Sequence, residues 1–195
     1  MTLVVVDLGY GNIGSIRIAF ERLGAAPVLS ADPAKITAAG RLVLPGVGAA
    51  GQAMAAIDRL AIADTLRAFP RPLLGICLGM QLLFEGSEED DVACLGILPG
   101  RVRRLDPAPG LPVPHMGWSR LGVTADGSGA GLTEGDYVYF AHSFACDDGP
   151  ATIARAEHSR PVPAAVRTGN VTGAQFHPER SGDVGARFLQ SFMAS

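Results

Sequence analysis

No apolar stretch in this chain approaches the roughly 18 residues needed to cross a bilayer. The apolar start Leu3-Val4-Val5-Val6 stops at Asp7 with no positive segment before it, so neither a membrane span nor a secretory leader is expected. Basic runs are missing too. Lys and Arg number 16 against 19 Asp and Glu, a net charge of −3, and aromatic residues make up 6%. With neither a phosphate-neutralising patch nor a stacking platform, a nucleic-acid partner is not expected. Cysteine is scarce: Cys77, Cys94 and Cys146 are odd in number and far apart, which fits neither a disulfide framework nor paired zinc knuckles. The expectation is a cytoplasmic protein with no bound metal and at least one free thiol.

What remains is a chain rich in apolar residues and turn formers, 48% hydrophobic with 25 Gly and 14 Pro among 195 residues. That length suits one self-sufficient core, so a single domain spanning residues 1–195 is expected. Leu3 to Val6 reads as a strand, and Ile13, Ile16, Phe20 and Leu23 recur at helical spacing until Gly24. Asp32-Pro33 has the form of a helix cap and first turn, Arg41 to Leu44 and Pro72 to Ile76 read as buried strands, and Ala53 to Phe69 is mostly helical. After Gly100 come short strands near Arg101–Leu105, Asp136–Ser143, Ala164–Arg167 and Val171–Gln175, then a last helix carrying Val184, Phe188, Leu189 and Phe192. Loops are expected at 106–114 and 126–131. The fold class is therefore α/β: an open, mainly parallel central sheet flanked by helices, with antiparallel strands added in the second half. Ligands of such sheets gather at the carboxyl ends of the strands, where the turns at Gly9, Gly46 and Cys77 lie.

Gly75-Ile76-Cys77-Leu78-Gly79 joins a buried strand to the apolar helical stretch Met80 to Phe84. This is the form of a nucleophile elbow, in which small flanking residues allow a tight turn that exposes its central side chain. Helix amides beside the sulfur favour a thiolate, the species that attacks carbonyl carbon. Cys94 and Cys146 lack that setting. A thiolate needs a proton carrier, and of His115, His142, His158 and His177 only the last sits in a suggestive string, Gln175-Phe176-His177-Pro178-Glu179. Extended geometry would put His177 and Glu179 on one side, so that the carboxylate selects the tautomer and steadies the imidazolium. A Cys77, His177, Glu179 triad is expected, with backbone amides of Val47, Gly48 and Leu78 to hold an oxyanion. Gly9-x-Gly11-x-x-Gly14 formally matches a dinucleotide fingerprint, but no convincing acidic residue follows about 20 positions on, and no cofactor is expected.

These residues resemble the class I (triad) glutamine amidotransferases, through nearly the whole chain. The elbow and His-Pro-Glu are common to that family. Gly9-Tyr10-Gly11-Asn12, Pro45-Gly46-Val47-Gly48 and His115-Met116-Gly117-Trp118 resemble a branch that supplies ammonia to a (β/α)8-barrel synthase subunit in histidine biosynthesis. The resemblance implies that Cys77 attacks the side-chain amide of glutamine, that His177 protonates departing ammonia, and that Glu179 orients His177. It further implies that Gln81, Ser143 and Phe144 hold the substrate and that Asn12, His115, Trp118 and Arg180 lie toward the barrel partner in a heterodimer. Phe144 stands where the family usually has Tyr, and Arg180 where Lys is commoner. Glutaminases of pyridoxal phosphate or anthranilate synthesis, or a non-catalytic regulatory subunit of the same fold, share the general motifs and remain alternatives on sequence.

Overall fold

The computed structural model describes residues 2–9, 11 and 13–195. In the first half β1 (Leu3–Val6), α1 (Ile13–Arg22), β2 (Val28–Ser30), α2 (Pro33–Ala38), β3 (Arg41–Leu44), α3 (Ala50–Arg59), α4 (Ala63–Arg67) and β4 (Leu73–Ile76) alternate strand and helix, and one helical turn, α5 (Leu78–Gln81), follows. The second half contains β5 (Gly86–Ser87), β6 (Val92–Ala93), β7 (Arg101–Arg104), β8 (His115–Val123), α6 (Ala125–Ser128), β9 (Tyr137–His142), β10 (Phe144–Cys146), β11 (Thr152–Glu157), β12 (Pro161–Thr168), β13 (Val171–Ala174) and α7 (Gly182–Ala194). Nine strands form one sheet in the order β2-β1-β3-β4-β13-β12-β11-β8-β9. Its pairings from β2 to β13 are parallel, and those from β13 to β9 are antiparallel. The architecture is the α/β one expected, with parallel and antiparallel ladders in equal share. A smaller sheet runs β10-β7-β5-β6.

Alternation along the parallel strands explains the layers. Val4, Val6, Leu42, Leu44 and Leu73 join one core with Ile36 of α2, Ile57 of α3 and Leu66 of α4. Leu3, Val5, Val43, Leu74 and Ile76 join the other with Ile16 and Phe20 of α1 and Phe188 and Phe192 of α7. Successive side chains point to opposite faces, so strands that are apolar throughout must be covered on both. Helix ends follow their local chemistry. Asp32 accepts from the Ala34 amide at 2.9 Å with Pro33 in the first turn, as the Asp-Pro pair suggests. Past Arg22, the last residue of α1, Gly24 adopts φ +80°.

Some expectations are revised. The helical stretch 53–69 is two helices, α3 and α4, because Ala61 turns at φ +53°. Helical structure after Cys77 does not extend to Phe84. The carbonyls of Leu82, Leu83 and Phe84 instead accept from Leu95, Ile97, Leu98 and Gly96, which draws that segment out of the helix. The segment 126–131, expected as loop, begins within α6. The nine-residue β8 and the six-residue β11 had no clear signature. β11 carries Arg155 and Glu157 at its more exposed positions, whereas β8 turns Met116 and Trp118 to solvent and is interrupted by Gly117 and Gly122. Among the described residues no helix is long and apolar enough to cross a membrane.

Strand β13 sets up the site. It lies parallel to β4, with Ala174 opposite Ile76, so residues leaving the two strands emerge side by side. Phe20 is fully buried and meets Phe192 edge to face at 6.4 Å, joining α1 to α7 across the same face. Phe20→Ala is expected to lower unfolding free energy by roughly 3–5 kcal/mol in urea titration.

Candidate active site

Cys77 occupies a turn that few side chains tolerate, at φ +53° and ψ −113°. Such conformations cost on the order of 1–3 kcal/mol and persist where the surroundings enforce them. Here the Cys77 amide donates to the Ala174 carbonyl at 2.7 Å, and the Cys77 carbonyl accepts from Met80 and Gln81. The flanking glycines are needed for space. A Cβ on Gly79 would lie 1.9 Å from the Leu44 carbonyl oxygen, and one on Gly75 would lie 2.7 Å from the Gly79 oxygen. Gly46 packs on the other side, where a Cβ would be 2.6 Å from the Gly79 amide nitrogen. Backbone thus rests on backbone between the end of β3 and the elbow.

His177 and Glu179 approach from the end of β13. The His177 Nδ1 is 2.8 Å from the Glu179 Oε1, yet the pair does not lie along a continued strand. His177 is extended at φ −97°, but Pro178–Arg180 form a 3-10 turn. The Ser181 hydroxyl donates to the His177 carbonyl at 2.7 Å and accepts from the Tyr139 amide at 3.0 Å. Those bonds hold the turn against β9. Burial opposes charge on His177, but hydrogen bonds to Cys77 and Glu179, and their charges, outweigh it and raise its pKa to about 10. The Glu179 Oε2 is buried with no hydrogen-bond partner among the described residues. By contrast, burial pushes the Cys94 thiol up to about 11 and the Cys146 thiol higher still, so neither is a ready thiolate.

A cleft of about 430 Å³ opens over these groups, lined by Val47, Gly48, Cys77, Leu78, Gln81, Ser143, Phe144, His177 and Arg180. The cleft therefore gathers Cys77 and His177, the three backbone candidates and all three proposed glutamine contacts, and Glu179 reaches it through its bond to His177. Two of the contacts are partly committed already. The Gln81 Nε2 donates to the Phe144 carbonyl at 2.7 Å and to the Gln175 Oε1 at 2.9 Å. Of the residues expected toward a partner, Trp118 is 55% exposed and meets Tyr139 edge to face, and the Arg180 guanidinium lies 4.4 Å over the Tyr139 ring. His115 is not on the surface. It is 7% exposed, its ring turned inward against Phe140 and His142, so its expected partner-facing position is corrected. Asn12 lies outside the described residues.

Two residues at the site had no sequence signal. Gln175 is fully buried, and its Nε2 points to the Cys77 Sγ at 3.8 Å. Glu89 lines the cleft, and its Oε2 accepts from the Ala50 amide at 2.9 Å. Asp90 accepts from the next amide, Gly51, at 3.1 Å, so two distant carboxylates cap α3, whose own cap residue Ala49 cannot. Burial raises the Glu89 pKa, the Ala50 amide lowers it, and Asp90 raises it further.

Over residues 4–194 the sequence matches the family described as glutamine amidotransferase class-I. The chain belongs to that family. It is similar to the imidazole glycerol phosphate synthase subunit HisH of Xylella fastidiosa, at 49% identity over 98% of this chain and 96% of that protein. Its counterpart in Xanthomonas euvesicatoria pv. vesicatoria is 48% identical over the same shares. Among solved structures, the fold is shared with a glutamine amidotransferase at TM-score 0.78 and 20% identity, covering 100% of this chain and 98% of that one. It is also shared with PurLQS from Thermotoga maritima at TM-score 0.76 and 22% identity, covering 99% and 97%.

For this class I amidotransferase the environment of His177 gives a direct test. Its raised pKa means that the imidazolium persists through neutral pH and that its stabilising pairing is lost only as pH rises through about 10. Glu179→Gln removes one of the charges responsible. The His177 pKa, followed by NMR titration, should fall by about one pH unit or more.

Proposed function

We propose that this chain is the glutaminase subunit of imidazole glycerol phosphate synthase. It hydrolyses glutamine to glutamate and ammonia, and passes the ammonia to a (β/α)8-barrel synthase subunit that makes imidazole glycerol phosphate and aminoimidazole carboxamide ribotide. The observation that carries the reading is Cys77 on a positive-φ elbow in the same cleft as His177, whose Nδ1 is in turn bonded to Glu179. The near-full-length likeness to synthase subunits of that name supports the choice of pathway.

In the first half-reaction the Cys77 thiolate attacks the side-chain carbonyl carbon of glutamine. The carbonyl oxygen becomes an oxyanion, and amides of Leu78 and the Val47-Gly48 segment stabilise it. His177 donates its proton to the amide nitrogen, the C–N bond breaks, and ammonia leaves a thioester on Cys77. Water then loses a proton to His177 and attacks the thioester carbon. Collapse of the second tetrahedral species releases glutamate and restores the thiolate. Glu179 keeps the His177 Nδ1 protonated, so that the opposite ring nitrogen does both transfers.

Glutamine is a zwitterion, and the cleft walls carry one carboxylate and one guanidinium, Glu89 and Arg180. Glu89 takes the α-ammonium, a reading supported by its carboxylate lining the cleft. Docking of the barrel subunit uses the apolar surface of β8 and β9, where Met116, Trp118 and Tyr137 are all more than half exposed.

In the assembled synthase, Cys77→Ala should abolish glutamine-dependent synthesis and leave ammonia-dependent synthesis intact; parallel loss of both would remove the proposed role of the thiol. Glu89→Gln should raise the KM for glutamine about tenfold with a smaller change in kcat, as expected for one lost charged contact in ground and transition states alike. A kcat-only effect would place Glu89 elsewhere in the reaction.

A further inference from the structure

In the cleft wall at His142, and running back from it, lies a set of histidines that the reaction does not use. The His142 Nδ1 is 2.7 Å from the Phe144 carbonyl, the His115 Nδ1 is 3.1 Å from the His142 Nε2, and the Ser119 hydroxyl is 2.7 Å from the His115 Nε2. Only one arrangement of hydrogens satisfies all three contacts with both rings neutral. A carbonyl can only accept, so the His142 Nδ1 carries hydrogen and its Nε2 is bare. The bare nitrogen requires a donor, which makes the His115 Nδ1 the protonated one, and the Ser119 hydroxyl then donates to the His115 Nε2. The direction runs one way from Ser119 to Phe144.

The Phe144 carbonyl is also where the Gln81 amide is anchored, and Gln81 in turn holds the Gln175 oxygen while Gln175 points its nitrogen at Cys77. Phe140 stacks on His115 with centroids 4.6 Å apart and planes at 19°, fixing the ring's plane. Resting on the glutaminase reading above, we propose that His115 and His142 are positioning residues: their one-way hydrogen-bond chain fixes the Phe144 carbonyl, and through Gln81 and Gln175 the amides packed against Cys77. Both rings stay neutral in use. Burial holds the His142 pKa down to about 3, against the raising effect of the Phe144 carbonyl, with His115, His158 and His177 lowering it further. His115 is held down to about 4 by burial and by His158, whose ring centroid is 4.8 Å away. A proton on His142 would place hydrogen on its Nε2, force His115 to the other tautomer and reverse the bond to Ser119.

The test has two arms. In 15N imidazole spectra of the full chain at neutral pH, His115 and His142 should both be neutral Nδ1–H tautomers, the rarer form in water. An Nε2–H ring at either position overturns the proposal. In the assembled synthase, His142→Leu should lower kcat/KM for glutamine about tenfold, the scale of one lost hydrogen bond, and leave ammonia-dependent synthesis unchanged. His142→Asn keeps an N–H at the position of Nδ1 and should restore most of the loss. Leu equal to wild type, or Asn no better than Leu, defeats the chain as a positioning device. Absence of glutaminase activity in the wild-type complex would instead defeat the glutaminase reading, and the tautomer spectrum would still decide whether the chain exists.

Discussion

The left-handed backbone at Cys77 is the constraint on which the site depends. A cysteine at φ +53° does not hold itself there. It is held because the amide on its N-terminal side is bonded to β13, because the chain on its C-terminal side closes one helical turn, and because glycines on either side let three stretches of backbone meet without side chains. The order of strands follows from the same requirement. β13 must lie against β4 for the Ala174 carbonyl to reach the Cys77 amide, and that pairing is what carries Gln175 and His177 to the sulfur. Because α5 is a single turn, the helix dipole beside the sulfur is small, and the His177 imidazolium stands beside it as a full positive charge.

Histidine is used in two opposite ways within one small volume. His177 is buried beside a cysteine and a carboxylate and is therefore charged. His115 and His142 are buried beside each other, an aromatic ring and a carbonyl, and are therefore neutral. Burial penalises charge in all three, so the partner decides the outcome. The charged ring can exchange protons with a reacting group, whereas the neutral pair offers fixed donors and acceptors.

Most of the parallel half was legible because strands buried on both faces are apolar runs and the helices between them carry a helical period, as with Leu3 to Val6 and Ile13 to Leu23. The elbow was legible because its strain demands small neighbours in fixed places. His177 and Glu179 were paired correctly but by the wrong geometry, since a 3-10 turn and an extended strand can both bring residues two apart together. Gln175 and Glu89 carried no signal. Gln175 works through Gln81, 94 residues away in sequence, and Glu89 through the amide of Ala50, 39 away; such contacts exist only once the sheet has closed. The resemblance put His115 toward a partner together with Trp118, whereas the alternation of β8 turns His115 inward and leaves Met116 and Trp118 facing solvent.

The seam where Gly46 and Leu44 rest on Gly79 has a further consequence for redesign. Since Gly46 and Gly79 have no side chain to trim and a Cβ at either would meet backbone, the gap between the thiol and the loop ahead of α3 cannot be narrowed by substitution at the seam. That spacing is set by the thickness of two peptide chains. Engineering the cleft for a bulkier amide would instead start from Met116 and Phe144, lining side chains with atoms that can be removed.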